Sequence, residues 1–208
     1  MPHHGHSHEE PDAGQVHRSV DENVDARSDW ARRRREGIPT DKQLLVVACM
    51  DERIPVEEAL GIELGDAQVF RNAGGKVTDD VVRSAALTTQ FFDTTEIVVV
   101  NHTDCGMMSA SDEAVVDGLT EAAGGDLSDV DLDPALPELN IGDADLAEWV
   151  RMTDDIDVAC ARQVELLEEH PLIPEETAVH GYVYEVESGH LRRPGERVAE
   201  TVNTRVEE

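Results

Sequence analysis

Ile97-Val98-Val99-Val100-Asn101-His102-Thr103-Asp104-Cys105 decides how this chain is to be read. An apolar run of this length, rich in β-branched residues, forms a strand buried on both faces. It ends on an imidazole and, three residues later, a thiol. A second run, Leu44-Leu45-Val46-Val47-Ala48, ends the same way on Cys49. In an open parallel sheet, sites form beyond the carboxyl ends of the strands. Two sulfurs and one ring nitrogen suit Zn²⁺, and three protein ligands leave a fourth position open, as in catalytic rather than structural zinc centres. Cys49, His102 and Cys105 are therefore the expected metal ligands.

Working outward, Pro55 starts a short helix through Leu60, and a strand near Ala67 to Phe70 leads into Arg71-Asn72-Ala73-Gly74-Gly75. Thr78 or Asp79 caps a helix expected to bury Val81, Val82, Ala85, Ala86, Thr89 and Phe92. Residues 112–147 are acidic and rich in Gly, Pro and Asp, and read as a long loop with marginal helix. One helix is expected over 147–169, with Ile156, Cys160, Val164 and Leu167 on one face. Cys160 is thus a core residue rather than a ligand. Alternation from Val179 to Val186 predicts a strand, followed by a turn and a short return strand. Strands separated by helices give an α/β fold: a mainly parallel central β-sheet flanked by helices, with an N-terminal helical arm.

The 208 residues suffice for one cored domain, expected over 40–208, after a disordered His-rich tail (1–18) and a helical arm (19–39). The tail's His3, His4, His6 and His8 read as a solvated tract. Acidic residues number 46 against 17 basic ones, a net charge of −29, with lysine only at Lys42 and Lys76. Such self-repulsion is relieved by screening, which points to a halophilic, high-salt cytoplasm. Nucleic acid is disfavoured as a partner, because phosphate contacts need clustered Lys and Arg and the one basic cluster, Arg32 to Arg35, lies in an otherwise acidic arm. No run of about 18 apolar residues suggests a membrane span. The polar start lacks the apolar core of a signal peptide, and three cysteines fit a reducing compartment, so a cytoplasmic location is expected.

Asp51 and Arg53 follow Cys49 closely. A bidentate pair with Arg53 would keep Asp51 ionised and therefore purely an acceptor. Such a carboxylate can orient water at the open metal position. Without Arg53 it would be free to swing onto the metal.

Cys49-x-Asp51-x-Arg53 and His102-x-x-Cys105, in this order, resemble the two signature motifs of the β-class carbonic anhydrases. Arg71 to Gly75, Val77-Thr78-Asp79-Asp80, His102-Thr103-Asp104-Cys105-Gly106-Met107 and Gly181-Tyr182-Val183-Tyr184-Glu185-Val186 with Gly189 are similar to the archaeal-type branch. The resemblance spans roughly residues 40–190. It implies one Zn²⁺ on Cys49, His102 and Cys105, and a catalytic dyad of Asp51 and Arg53. It implies reversible hydration of CO₂ to bicarbonate, and a homodimer or dimer of dimers in which N-terminal helices wrap the partner. The same fold and site can hydrolyse related cumulated molecules such as carbon disulfide. A non-catalytic zinc module closed by Asp51 is the alternative from a different class. Backbone N–H groups near Gly106 are candidates to hold substrate, and His180 and His190 are weak candidates for proton carriers.

Overall fold

The computed structural model describes residues 42–125, 127 and 146–196. The expected tail, the arm and most of the acidic loop after residue 125 lie outside the described residues.

Five strands form one sheet: β1 (Leu44–Cys49), β2 (Ala67–Asn72), β3 (Glu96–His102), β4 (Ala178–Glu185) and β5 (His190–Arg192). Their order is β2-β1-β3-β4-β5. The first four are parallel to their neighbours, and β5 runs antiparallel to β4. The expected mainly parallel α/β sheet is what the chain forms. The chain leaves β1 toward β2 on one side and returns to β3 on the other. The carboxyl ends of β1 and β3 therefore flank the point where the winding reverses, which is where such sheets build sites.

Alternation along the strands feeds two apolar layers. Leu44, Val46 and Ala48 pack with Ile54, Val56, Val98 and Val100 on one face. Leu45 and Val47 pack with Val81, Ala85, Ile97, Val99 and Leu167 on the other. Val46, Val47, Val99 and Val100 are each no more than 1% exposed, and burying such a side chain stabilises the fold by about 1.5–3 kcal/mol. The helices are α1 (Val56–Leu60), α2 (Asp79–Phe91), α3 (Asp112–Ala122), α4 (Leu146–Val150) and α5 (Ile156–Glu168). Packing of α5 on β4 is close. A Cβ on Gly181 would lie 2.8 Å from Val164 Cγ2 and 3.0 Å from Cys160 Sγ, so only glycine fits there.

Three expectations are corrected. Phe92 does not join the core of α2; it is 37% exposed, and Thr88 is buried instead. The helix ends at Phe91, and Phe92 leaves the helical backbone with φ −130°, so its ring no longer follows the buried stripe. Thr88 survives burial because its hydroxyl meets Thr94 Oγ1 at 2.7 Å and donates to Gln68 Oε1. The single helix expected over 147–169 is two. Arg151 adopts φ +55°, and the Asp155 carboxylate accepts from the N–H groups of Asp157 and Val158, giving α5 its own cap. The first part of the expected acidic loop is the helix α3, which Ser111 caps by accepting from Ala114 N–H at 3.2 Å. Cys160 lies in the core, fully buried, as its place on the helix face implied. No described helix is long and apolar enough to cross a membrane.

Candidate metal centre

Cys49 closes β1 and His102 closes β3. Cys105 returns to them because Asp104 takes a left-handed turn, φ +51°, a conformation that Asp adopts more readily than most residues. The three donor atoms lie within 4.8 Å of one another, and all three residues are buried. The two sulfurs are 4.0 Å apart and both thiols are free. A disulfide would need about 2.05 Å. Two sulfurs on one tetrahedral zinc, each at about 2.3 Å, would stand about 3.8 Å apart.

His102 presents the correct nitrogen. Its Nδ1 contacts Thr103 O at 2.8 Å. A carbonyl only accepts, so Nδ1 carries the proton and Nε2 keeps its lone pair. That Nε2 is buried with no hydrogen-bond partner. Leaving a buried polar atom unpaired is costly, and a cation among the three donors would satisfy it. The thiols behave as a coupled pair. The Cys105 thiol, outweighing burial, stabilises the Cys49 thiolate, helped by His102 and the backbone at Asp51 and Gly74, so Cys49 is acidified. Proximity to that charge, then burial, pushes Cys105 the other way. Burial disfavours a charged His102, yet the Cys49 sulfur, the Asp51 charge and the Thr103 carbonyl together outweigh it and raise the ring's affinity for a proton. One negative charge forms readily here, and the second calls for a cation. The donor set and its orphaned nitrogen fit a soft divalent metal.

Beside the cluster, Asp51 is held rather than free. Arg53 Nε donates to Asp51 Oδ1 at 2.9 Å, Nη2 to Oδ2 at 2.8 Å, and the Arg53 backbone N–H to Oδ1 at 2.9 Å. This fork holds the carboxyl well below the usual range, so Asp51 is ionised at any ordinary pH. Asp51 Oδ2 lies 3.8 Å from His102 Nε2, next to the donor cluster. The expected pair is therefore formed, with one oxygen facing the metal position.

Several residues that support the site were not assigned roles from sequence. Asp104 holds Arg53 from the far side: its carboxylate accepts from Nη1 at 2.8 Å and its carbonyl from Nη2 at 2.9 Å. Arg71 donates to Cys49 O at 2.9 Å and to Asp51 O at 2.5 Å, fixing the main chain that carries both residues. Asn101, fully buried, donates to Gly74 O at 2.6 Å. Gly75 sits at φ +58°, and a Cβ there would lie 2.8 Å from Cys49 N and 3.0 Å from Val100 O. The paired glycines and the Asp inside His102–Cys105 were the only sequence signals for these roles. His180 does not join the site; its ring is 3.7 Å from Glu96 Oε1, at the opposite end of β3 from His102. His190 lies exposed at the start of β5.

A family model described as carbonic anhydrase matches residues 44–191. A carbon disulfide hydrolase of Acidithiobacillus thiooxidans is 54% identical over 177 residues, 84% of this chain and 88% of that protein. β-Carbonic anhydrase 1 of Mycobacterium tuberculosis is 34% identical over 154 residues, 74% of this chain and 83% of that protein. A solved apo form of carbon disulfide hydrolase superposes with a TM-score of 0.74 at 41% identity, covering 93% of this chain and 98% of that one.

Proposed function

The chain belongs to the β-carbonic anhydrase family, and on that premise we propose that Cys49, His102 and Cys105 hold one Zn²⁺ per chain and that the site adds water to the central carbon of a small cumulated molecule. The observation that carries this reading is the Asp51 carboxylate, locked by Arg53 beside the three-donor cluster instead of completing it. A closed structural centre would need no such restraint. Bound zinc supplies Lewis acidity, which in the best-known case brings the pKa of water to about 7.

The chain's own residues do the rest. Asp51, ionised and unable to donate, accepts the proton side of a hydrogen bond from water and turns an oxygen lone pair toward substrate. Arg53 keeps the carboxylate from rotating into the fourth position. Asp104 and Arg71 hold Arg53 and the Cys49–Asp51 main chain in register. Burial of all three donor residues keeps competing water from their polar atoms.

Carbon disulfide is the substrate favoured by the 54% identity to a hydrolase of that molecule. Hydrolysis consumes two waters. Each addition makes a C–O bond and breaks a C–S bond, the water protons leaving with sulfur, and the products are CO₂ and two H₂S. Hydration of CO₂ itself is the second reading, supported by the relationship to a mycobacterial carbonic anhydrase. It makes one C–O bond and releases one proton with bicarbonate. Stopped-flow rates on CS₂ and CO₂, with zinc determined on the same sample, test both. Turnover of neither by fully zinc-loaded protein would refute the proposal.

We also propose a cytoplasmic homodimer or dimer of dimers. Light scattering of the full chain should give an even number of subunits, and a monomer would refute it.

A further inference from the structure

Lys76, one of only two lysines, is 6% exposed. Desolvating an ammonium is expensive, so a buried one calls for something that offsets the cost. Among the described residues no carboxylate forms an ion pair with it, and its ammonium donates to Thr153 Oγ1. Asp112 and Asp155, which border the same cleft, accept from main-chain N–H groups instead, and Asp154 is exposed at the rim.

The offsetting charge lies at the metal centre. Lys76 N–H donates to Asn72 Oδ1, and Asn72 Nδ2 donates to Lys76 O, each at 2.8 Å, which fixes where the side chain starts. The chain then runs over Gly74 beside Met107. A Cβ on Gly74 would lie 3.1 Å from Lys76 Cε and 2.9 Å from Met107 Cγ. These two residues serve the sulfurs with their main chain: the Gly74 N–H supports the Cys49 thiolate, and the Met107 N–H the Cys105 thiolate. Thr153 closes the arrangement, because its own N–H donates to Met107 O at 2.9 Å. The ammonium is therefore held behind the two sulfurs, on the far side of the main chain that faces them. Burial, the strongest influence, lowers the proton affinity of Lys76. The Cys105 charge opposes this, the Arg151 and Arg162 charges reinforce it, and the Cys49 charge opposes it again. The two sulfurs are thus the negative groups that bear on the ammonium most.

We propose that Lys76 is a positioning residue of the metal centre, an outer counter-charge that holds electron density on the Cys49 and Cys105 sulfurs. This rests on the three-donor zinc site proposed above. Thiolates are strong donors and blunt the Lewis acidity of the ion they hold; a cation behind them restores part of it. The ammonium does not help the metal to enter. A dication that replaces the Cys105 proton makes the centre more positive, so Lys76 opposes loading and acts on the loaded centre. A merely structural prop would have the opposite effect on metal affinity.

Loading the full chain with Co²⁺ reads the sulfurs directly, through the sulfur-to-metal charge-transfer band in the near ultraviolet. In Lys76→Met the sulfur lone pairs rise in energy, and the band should move to longer wavelength. Zinc affinity, from competition with a chromogenic chelator, should equal the native value or exceed it. On whichever of CS₂ and CO₂ the native chain turns over, kcat/KM should fall about tenfold or more. Lys76→Arg should return band and rate toward native, since the cleft of about 640 Å³ beside Lys76 leaves room for the larger head group. If Lys76→Met does not fold, Lys76→Gln, equally uncharged, decides. A band that stays in place, zinc bound more weakly, or a Lys76→Arg protein that behaves like Lys76→Met overturns the proposal. A native chain that gives no charge-transfer band refutes the metal site itself, whereas a native band that the uncharged variants leave unmoved refutes only the role of Lys76.

Discussion

Replacing Asp51 by Asn changes one oxygen for an NH₂ and leaves the three proposed ligands untouched. In the native site both carboxylate oxygens are used. Oδ1 accepts from Arg53 Nε and from the Arg53 backbone N–H, each at 2.9 Å, while Oδ2 accepts from Nη2 at 2.8 Å. The amide keeps a single acceptor. Two donors already converge on Oδ1, so the amide oxygen stays there and the NH₂ takes the Oδ2 position. It then faces Nη2 donor to donor and points a hydrogen toward the donor cluster, whose His102 Nε2 lies 3.8 Å from the Oδ2 position. The group that should accept from water has become a donor, while position and packing barely change. Loss of a positioned acceptor of this kind costs about 10²–10⁴-fold in rate. The expected result for Asp51→Asn is therefore kcat/KM on CS₂ or CO₂ reduced by about that factor, with zinc still at one per chain. Stopped-flow assay and elemental analysis on one preparation read both quantities. Native turnover would refute the orienting role of Asp51. Turnover lost together with zinc would show that Asp51 is instead a ligand.

Three further outcomes follow from the same structure. Gly75→Ala should lower stability by about 3 kcal/mol, from left-handed strain and from a methyl driven to 2.8 Å from Cys49 N; an unchanged denaturation midpoint would contradict the close approach. Arg192 donates to Glu185 at 3.0 Å and grips Asp157, holding that carboxyl below its usual range. Because the folded-state value is depressed, the stabilisation is present above the unfolded value near 3.9 and fades as pH falls below it. Arg192→Ala should thus cost about 2 kcal/mol near neutral pH and progressively less below about pH 4, and urea melts that differ from wild type equally at both pH values would refute this. With a net charge of −29, the folded chain should loosen in dilute buffer and recover near 1 M salt, where the screening length falls to about 3 Å; circular dichroism showing no salt dependence would remove the halophilic reading.

The sheet was legible because β1 and β3 are uninterrupted apolar runs, a pattern that only double-sided burial explains. The donor cluster was legible because each run ends on a soft-metal ligand. Local backbone events that carry no glycine or proline were not. The break between α4 and α5 depends on Arg151 adopting a positive φ and on an Asp155 cap that looks like one more acid in an acidic stretch. The Ser111 cap of α3 was hidden in the same way. Phe92 fits the periodicity of α2, and its exposure follows from where the helix stops, at its own non-helical backbone. The roles of Arg71 and Asp104 are tertiary: each acts on residues 20 or more positions away in sequence.

Everything proposed for this site rests on a zinc ion held by Cys49, His102 and Cys105 with one position left to solvent. X-ray absorption at the zinc edge, on the full chain at neutral pH, tests it most directly. Two sulfurs at about 2.3 Å, one nitrogen at about 2.0–2.1 Å and one light scatterer from solvent are expected. That light scatterer should persist in Asp51→Asn. A shell filled by protein donors alone, or one with fewer than two sulfurs, would contradict it.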